Sequence, residues 1–187
     1  SGLAAAQAVL AEGGIGLEAL GNPETRVPHD IAMRALQTMV EGVGDPTLGL
    51  RAGRQVEPGD LDVPEYAARS APSFGEALTV MGRYLRIIHD AAEVSVSVEG
   101  DFAVWRWRVT DGIVLPPAAN DYVIASAIAF SQRNVSVYTP PVEVRLMHPE
   151  PTYASEYANY LETTARFGAS HDTVVIRKER LDVPMRG

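Results

Sequence analysis

The sequence predicts an α+β fold: a single domain over residues 1–187, with several helices packed on a small, mainly antiparallel sheet. Three observations predict it. Apolar residues recur at helical spacing through the first half of the chain, most clearly from Ser70 to Asp90. The period then changes to two, with Val94, Val96 and Val98 alternating against Ser95 and Ser97. Only Gly100-Asp101 separates this strand from the next, so the two pair as an antiparallel hairpin. Helices followed by short hairpin-linked strands form the pattern of helices covering an antiparallel sheet, not of an alternating parallel one.

The Ser70–Asp90 stretch is the element on which the others are expected to pack. Ser73 caps it and Glu76 stands three residues later, which makes a capping box. Phe74, Ala77, Leu78, Met81, Leu85 and Ile88 form its apolar stripe. Before it, Leu3 to Glu12 reads as an Ala-rich helix, broken by Gly13-Gly14 and followed by a short second piece to Leu20. Gly21-Asn22-Pro23-Glu24 is a turn. Pro28 opens a helix whose buried face is Ile31, Ala32, Ala35, Leu36, Met39, Val40 and Val43, and Gly44 ends it. Asp45-Pro46 starts a short helix through Leu48, Leu50 and Ala52, and Val63 to Ser70 makes one or two further turns.

After the hairpin, in which Ala103, Trp105, Trp107 and Val109 share one face, Asp111 to Pro117 is a loop. Asn120 or Asp121 caps a second strong helix, with Val123, Ile124, Ala127, Ile128 and Val135 on its apolar side. Val142 to His148 is a third strand. Tyr153, Tyr157, Tyr160 and Leu161 mark a short helix, Arg166 to Ala169 a brief strand or turn, and Thr173 to Arg180 a final strand. Leu181 to Gly187 reads as an exit from the domain.

Composition narrows the function. Lys and Arg number 16 against 24 Asp and Glu, a net charge of −8, which argues against direct nucleic-acid binding by this segment. There is no Cys, so disulfide and thiolate chemistry are excluded. Apolar runs fall far short of the ~20 residues that span a bilayer, and no signal peptide is evident. The chain opens on Ser1-Gly2 without an initiator Met, so a longer natural protein is expected.

Motifs that carry chemistry are few. His29, His89, His148 and His171 show no metal-ligand spacing, and there is no HExxH, GxSxG, P-loop or GxGxxG. His89-Asp90 serves either as a base or ligand donor at a pocket mouth or as a cation favoured at a helix C-terminus. Trp105 and Trp107 either line a pocket or fill the helix–sheet core. Tyr66, Tyr84 and Tyr122 offer hydroxyls at helix edges, and Arg83 stands either toward an anionic ligand or on a solvated face.

Several segments, in order, carry a family resemblance. Arg26-Val27-Pro28 opens the helix that leads to Gly44-Asp45-Pro46-Thr47-Leu48-Gly49-Leu50-Arg51, similar to a G-D-P-x-L-G-L-R segment. Ser70-Ala71-Pro72-Ser73-Phe74-Gly75-Glu76-Ala77-Leu78 resembles S-S-P-T-L-G-E-A-L, and Val142 to Pro149 resembles V-x-F-x-H-P. Phe167-Gly168-Ala169 and Leu181-Asp182-Val183-Pro184 also fit, while Gly59 to Tyr66 stands where the pattern has G-x-L-G-Y. Together they resemble the N-terminal arabinose-binding-like domain of AraC/XylS-type bacterial transcription regulators. The resemblance implies a non-enzymatic, cytoplasmic, effector-sensing and dimerising domain. Its partners are a small-molecule effector and a second copy, with DNA reached only through a helix-turn-helix domain outside this chain and no membrane partner. No cofactor, metal ligand or catalytic residue is expected. The expected pocket lies between the central helix and the two-Trp hairpin, with Tyr66, Arg83, Tyr84, His89, Trp105 and Trp107 as ligand contacts. A ligand-free dimerisation module and, more remotely, a small enzyme built on His89-Asp90 or His171-Asp172 are the alternatives.

Overall fold

The computed structural model describes residues 2–22, 24–110, 113 and 115–186. Pro23 of the expected turn, Asp111, Gly112 and Val114 of the expected loop, and the terminal Ser1 and Gly187 lie outside the described residues.

The sheet comprises β1 (Ala92–Glu99), β2 (Phe102–Val109), β3 (Glu143–Arg145), β4 (Ala165–Arg166) and β5 (Asp172–Arg177), in the order β1-β2-β5-β3-β4. Every neighbouring pair is antiparallel except β3 with β4. The α+β expectation therefore holds. The β1–β2 hairpin turns at Gly100, whose φ of 62° is the left-handed conformation that glycine adopts without steric penalty. Its register sets Val94 opposite Trp107 and Val96 opposite Trp105, so both indoles stand on one face of the sheet.

The helices are α1 (Gly2–Glu12), α2 (Leu17–Leu20), α3 (His29–Val43), α4 (Leu48–Arg54), α5 (Asp62–Arg69), α6 (Phe74–Tyr84), α7 (Pro117–Asn134) and α8 (Tyr157–Leu161). Ser73 Oγ accepts the Glu76 N–H at 3.3 Å, so α6 starts where its capping residue predicts. It ends earlier than expected. The chain tightens into a 3₁₀ turn at Leu85–Ile87, with the Ile88 N–H bonding the Leu85 carbonyl, and then swings into β1.

The expectation that α6 organises the domain is corrected by α7. Its Ala118, Asp121, Ile124, Ala125, Ile128 and Phe130 are all buried, and together they point around the whole helix. Such a helix lies inside the core rather than on its surface. It begins at Pro117, so Asn120 and Asp121 are buried in its first turns and do not cap it. Proline suits that first position because its missing N–H would have no helical partner.

α4 lies closest to α7, and its glycines allow the approach. A Cβ at Gly49 would fall 2.1 Å from the Ala118 carbonyl oxygen, and one at Gly53 would fall 2.5 Å from that of Tyr122. α1 and α3 form a separate small cluster through Ala6, Leu10, Ile31 and Ala35. The buried face expected for α3 is narrower than predicted: only Ile31 and Ala35 are buried, whereas Leu36 and Met39 are half-buried and Val43 is exposed. The expected exit at the C-terminus also stays with the domain. Val183 accepts the Phe74 N–H and Pro184 accepts the Ser136 N–H, so residues 183–185 strap the start of α6 to the end of α7.

Candidate ligand-binding site

A chamber of about 340 Å³ lies between α6, the β1–β2 hairpin and α7. Leu78, Met81, Leu85 and Ile88 come from α6 and its continuation, Val94, Trp105 and Trp107 from the hairpin, and Tyr122, Val123, Ser126 and Ala127 from α7. The apolar stripe read along Phe74–Ile88 thus divides: its N-terminal half fills core, while its C-terminal half faces open space. A second chamber of about 450 Å³ adjoins the first on the α3–α4 side. Met33, Leu36 and Met39 of α3 face Leu48 and Ala52 of α4 and Ala119 of α7 across it. His89, Trp107, Tyr122 and Val123 line both chambers. Each volume falls in the range of about 300–1,000 Å³ that holds small-molecule ligands.

The shared wall holds unpaired polar groups. Trp107 is only 4% exposed, and its Nε1–H has no hydrogen-bond partner among the described residues. His89 Nδ1 and His29 Nε2 are likewise buried and unpaired. The His89 ring stacks edge-on against both, 5.2 Å from His29 and 5.9 Å from Trp107 between ring centres. A buried polar group without a partner costs about 1–3 kcal/mol, and two of these three, on His89 and Trp107, belong to residues that line both chambers. Burial, and then the neighbouring His29, hold the pKa of His89 below its ordinary value, which favours a neutral ring. Burial likewise raises the pKa of Tyr122.

His89, Trp105 and Trp107, all expected as ligand contacts, line the first chamber, and His89 and Trp107 also border the second. The two readings of the tryptophans merge, since both indoles are buried core residues and chamber lining at once. Three expected contacts stand elsewhere. Tyr66 is 78% exposed, because α5 turns that face to solvent, and Tyr84 is 38% exposed. Arg83 borders an outer depression with Thr79, Gly82 and Ser95 instead. In each case the helix rotates the residue off the apolar stripe, and only the stripe faces the chamber. Tyr122, singled out for its hydroxyl but not as a ligand contact, lines both chambers, and the residues the sequence reasoning missed are Met33 and Leu36 on α3, Ala52 on α4 and Ser126 on α7. Their amphipathic spacing was visible, but spacing does not tell a face that meets a core from one that meets a cavity.

A second polar cluster lies on the opposite side of α7. Asp121, wholly buried, accepts the Tyr157 hydroxyl at 2.7 Å and that of Tyr153 at 3.4 Å. His148 Nε2 stands 3.4 Å from the same carboxylate, while its Nδ1 lies 2.9 Å from the Pro149 carbonyl oxygen. Burial opposes the charged form of His148, but bonds to Asp121 and Pro149 and the charges of Asp121 and Asp172 outweigh it and raise its pKa. Burial raises the pKa of Asp172 despite its bond from the Met147 N–H. Among the described residues no group of three or more acidic, Cys or His side chains is placed to hold a metal ion.

The chain belongs to the family described as the N-terminal arabinose-binding domain of AraC transcription regulators, whose model matches residues 4–185. No curated protein matches it. Its fold is similar to that in the crystal structure of the transcriptional regulator CdpR from Pseudomonas aeruginosa, with a TM-score of 0.68 and 20% sequence identity. That match covers 90% of this chain but only 56% of CdpR, so the chain corresponds to little more than half of that protein.

Proposed function

We propose that this domain senses a small-molecule effector and passes its occupancy to an attached DNA-binding domain. The observation that carries this reading is the pair of adjoining, mostly apolar chambers that share the wall formed by His89, Trp107, Tyr122 and Val123. A ligand there touches α3 on one side and α6 and the hairpin on the other, with α7 between them. A ligand changes a conformational equilibrium only through unequal affinity for its states. Here the inequality comes from how far α1–α3, which has its own small cluster, closes over the body of the domain. In this reading the domain contacts DNA only through the attached domain, consistent with its acidic charge, and pairs with a second copy of itself; a monomer by sedimentation at working concentration removes the pairing.

Isothermal titration against a metabolite collection tests the sensor. One compound or more is expected to bind the chain and to lose binding when Ala119→Trp fills the α3–α4 chamber. A collection of diverse metabolites in which none binds refutes the reading.

A further inference from the structure

We propose that the ligand of these chambers is a neutral, predominantly apolar molecule carrying one hydrogen-bond acceptor, and that Trp107 Nε1–H fixes this acceptor at the wall the chambers share. This inference rests on the sensor reading above and adds the chemical class of its ligand.

Charge comes first. Neither chamber is lined by a Lys or Arg among the described residues, and the one acidic side chain on the lining, Asp60, is solvent-exposed with its carboxylate accepting the Glu57 N–H. A carboxylate or phosphate would enter apolar surroundings unpaired, at a desolvation cost of several kcal/mol. The domain's net charge of −8 adds a field that disfavours anions. A cation finds no buried carboxylate on either lining among the described residues.

Hydroxyl-rich ligands fail for a different reason. A pentose brings a ring oxygen and four hydroxyls, each needing a partner once out of water. The α3–α4 chamber carries polar side-chain atoms only on His89, Trp107 and Tyr122 among its described lining residues, too few for five polar atoms. Ser126 in the other chamber already donates its hydroxyl proton to the Tyr122 carbonyl at 2.6 Å. The name of the family therefore does not extend to the contents of this cavity.

Polarity is concentrated at one place. An indole N–H is a donor only, so Trp107 asks for an acceptor such as a ketone, ester, amide or ether oxygen. A neutral histidine beside it supplies one further donor or acceptor. Apolar chambers on either side of that point suit a molecule whose acceptor interrupts or ends a hydrocarbon body.

Competition against 6-propionyl-2-(dimethylamino)naphthalene, a neutral ketone dye, tests the class on the whole 187-residue chain. The competitors are decan-2-one, decanoate, decylammonium and L-arabinose. Decan-2-one is expected to displace the dye at a concentration about tenfold or more below that needed for either ion, with no displacement by the sugar. Trp107→Phe is expected to weaken decan-2-one by about three- to tenfold. In the intact chain the Trp107 indole N–H resonance is expected to move downfield with the ketone, which reads the same bond without a mutation. Tighter binding by decanoate, decylammonium or arabinose, or a ketone that leaves that resonance unmoved, overturns the ligand class while leaving a ligand-binding chamber in place. If neither the dye nor any competitor binds, the sensor reading falls with it.

Discussion

Replacing Gly49 by Ala tests whether the close approach of α4 to α7 positions the site. Alanine is intrinsically better in a helix than glycine by roughly 0.5–1 kcal/mol, so an unconstrained Gly49→Ala would stabilise the domain. The structure reverses the sign. The new Cβ lies 2.1 Å from the Ala118 carbonyl oxygen, 2.8 Å from its carbonyl carbon and 2.9 Å from its Cα, all of them backbone atoms of the buried α7. Ordinary contact begins near 3.4 Å, so α4 must retreat by more than 1 Å. Overpacking of this kind costs about 1–3 kcal/mol and strains whatever is packed behind it. Set against the propensity gain, the net loss is about 1 kcal/mol, or about 2–4 °C in the melting midpoint of a domain this size. Urea unfolding monitored by tryptophan fluorescence reads it directly. The double variant Gly49→Ala, Gly53→Ala should lose less than the sum of its single variants, because the first displacement relieves the second clash, 2.5 Å from the Tyr122 carbonyl. A Gly49→Ala chain as stable as the parent, or more stable, would refute the reasoning.

Two further outcomes follow from the buried polar groups. Tyr157→Phe removes the 2.7 Å bond to the wholly buried Asp121 and is expected to cost about 1.5–3 kcal/mol, whereas Tyr153→Phe, whose bond is 3.4 Å, should cost less; equal losses in denaturant melts would contradict the assigned partners. The two shifted histidines act on opposite sides of their shared ordinary pKa of 6.5: the raised value of His148 gives stability that is full below pH 6.5 and lost as pH rises through its native pKa, and the lowered value of His89 gives stability that is full above 6.5 and lost as pH falls through its native pKa. His148→Gln should therefore flatten the fall in stability on the alkaline side and His89→Leu the rise on the acid side, and a series of melts from pH 5 to 9 in which neither slope changes would remove the assignment.

What could be read along the chain depended on the range of the interaction. The Ser73 cap, the Gly44 stop and the Gly100 turn are local, and each forms where its residue type predicts. The hairpin register follows from its two-residue turn and places Trp105 beside Trp107 on one face. The order β1-β2-β5-β3-β4 was not legible, since β5 enters between β2 and β3 from late in the chain. Nor was the rank of the two long helices. α6 has a clean apolar stripe and α7 does not, yet an absent stripe is what a helix surrounded by core displays. The candidate site divided along the same line. His89, Trp105 and Trp107 lie on or next to faces whose period was readable, whereas Met33 and Leu36 from α3 and Ala52 from α4 reach the chamber through helix-on-helix packing that no local pattern fixes. Tyr66, Arg83 and Tyr84 drew attention by residue type, and residue type does not fix the direction in which a helix presents them.

In the proposed sensor reading, the position of α7 makes occupancy of the chambers consequential for the rest of the domain. Tyr122, Val123, Ser126 and Ala127 face the chambers, while Asp121, one position earlier, is tied to Tyr157 and His148 on the opposite side. A buried carboxylate held by two neighbouring elements resists rotation of the helix, because turning it would break bonds that nothing else replaces. A ligand pressing on α7 therefore meets a helix fixed at its first turns and closely packed by α4, and the freer response lies with α3, which bounds only the outer chamber. Past the far end of α7, Ser136 donates to Pro184 in the strap that also holds Phe74 at the start of α6. The strap thus bridges two of the elements that bound the inner chamber, α6 and α7, so any change in their separation is also a change in the path of residues 183–185.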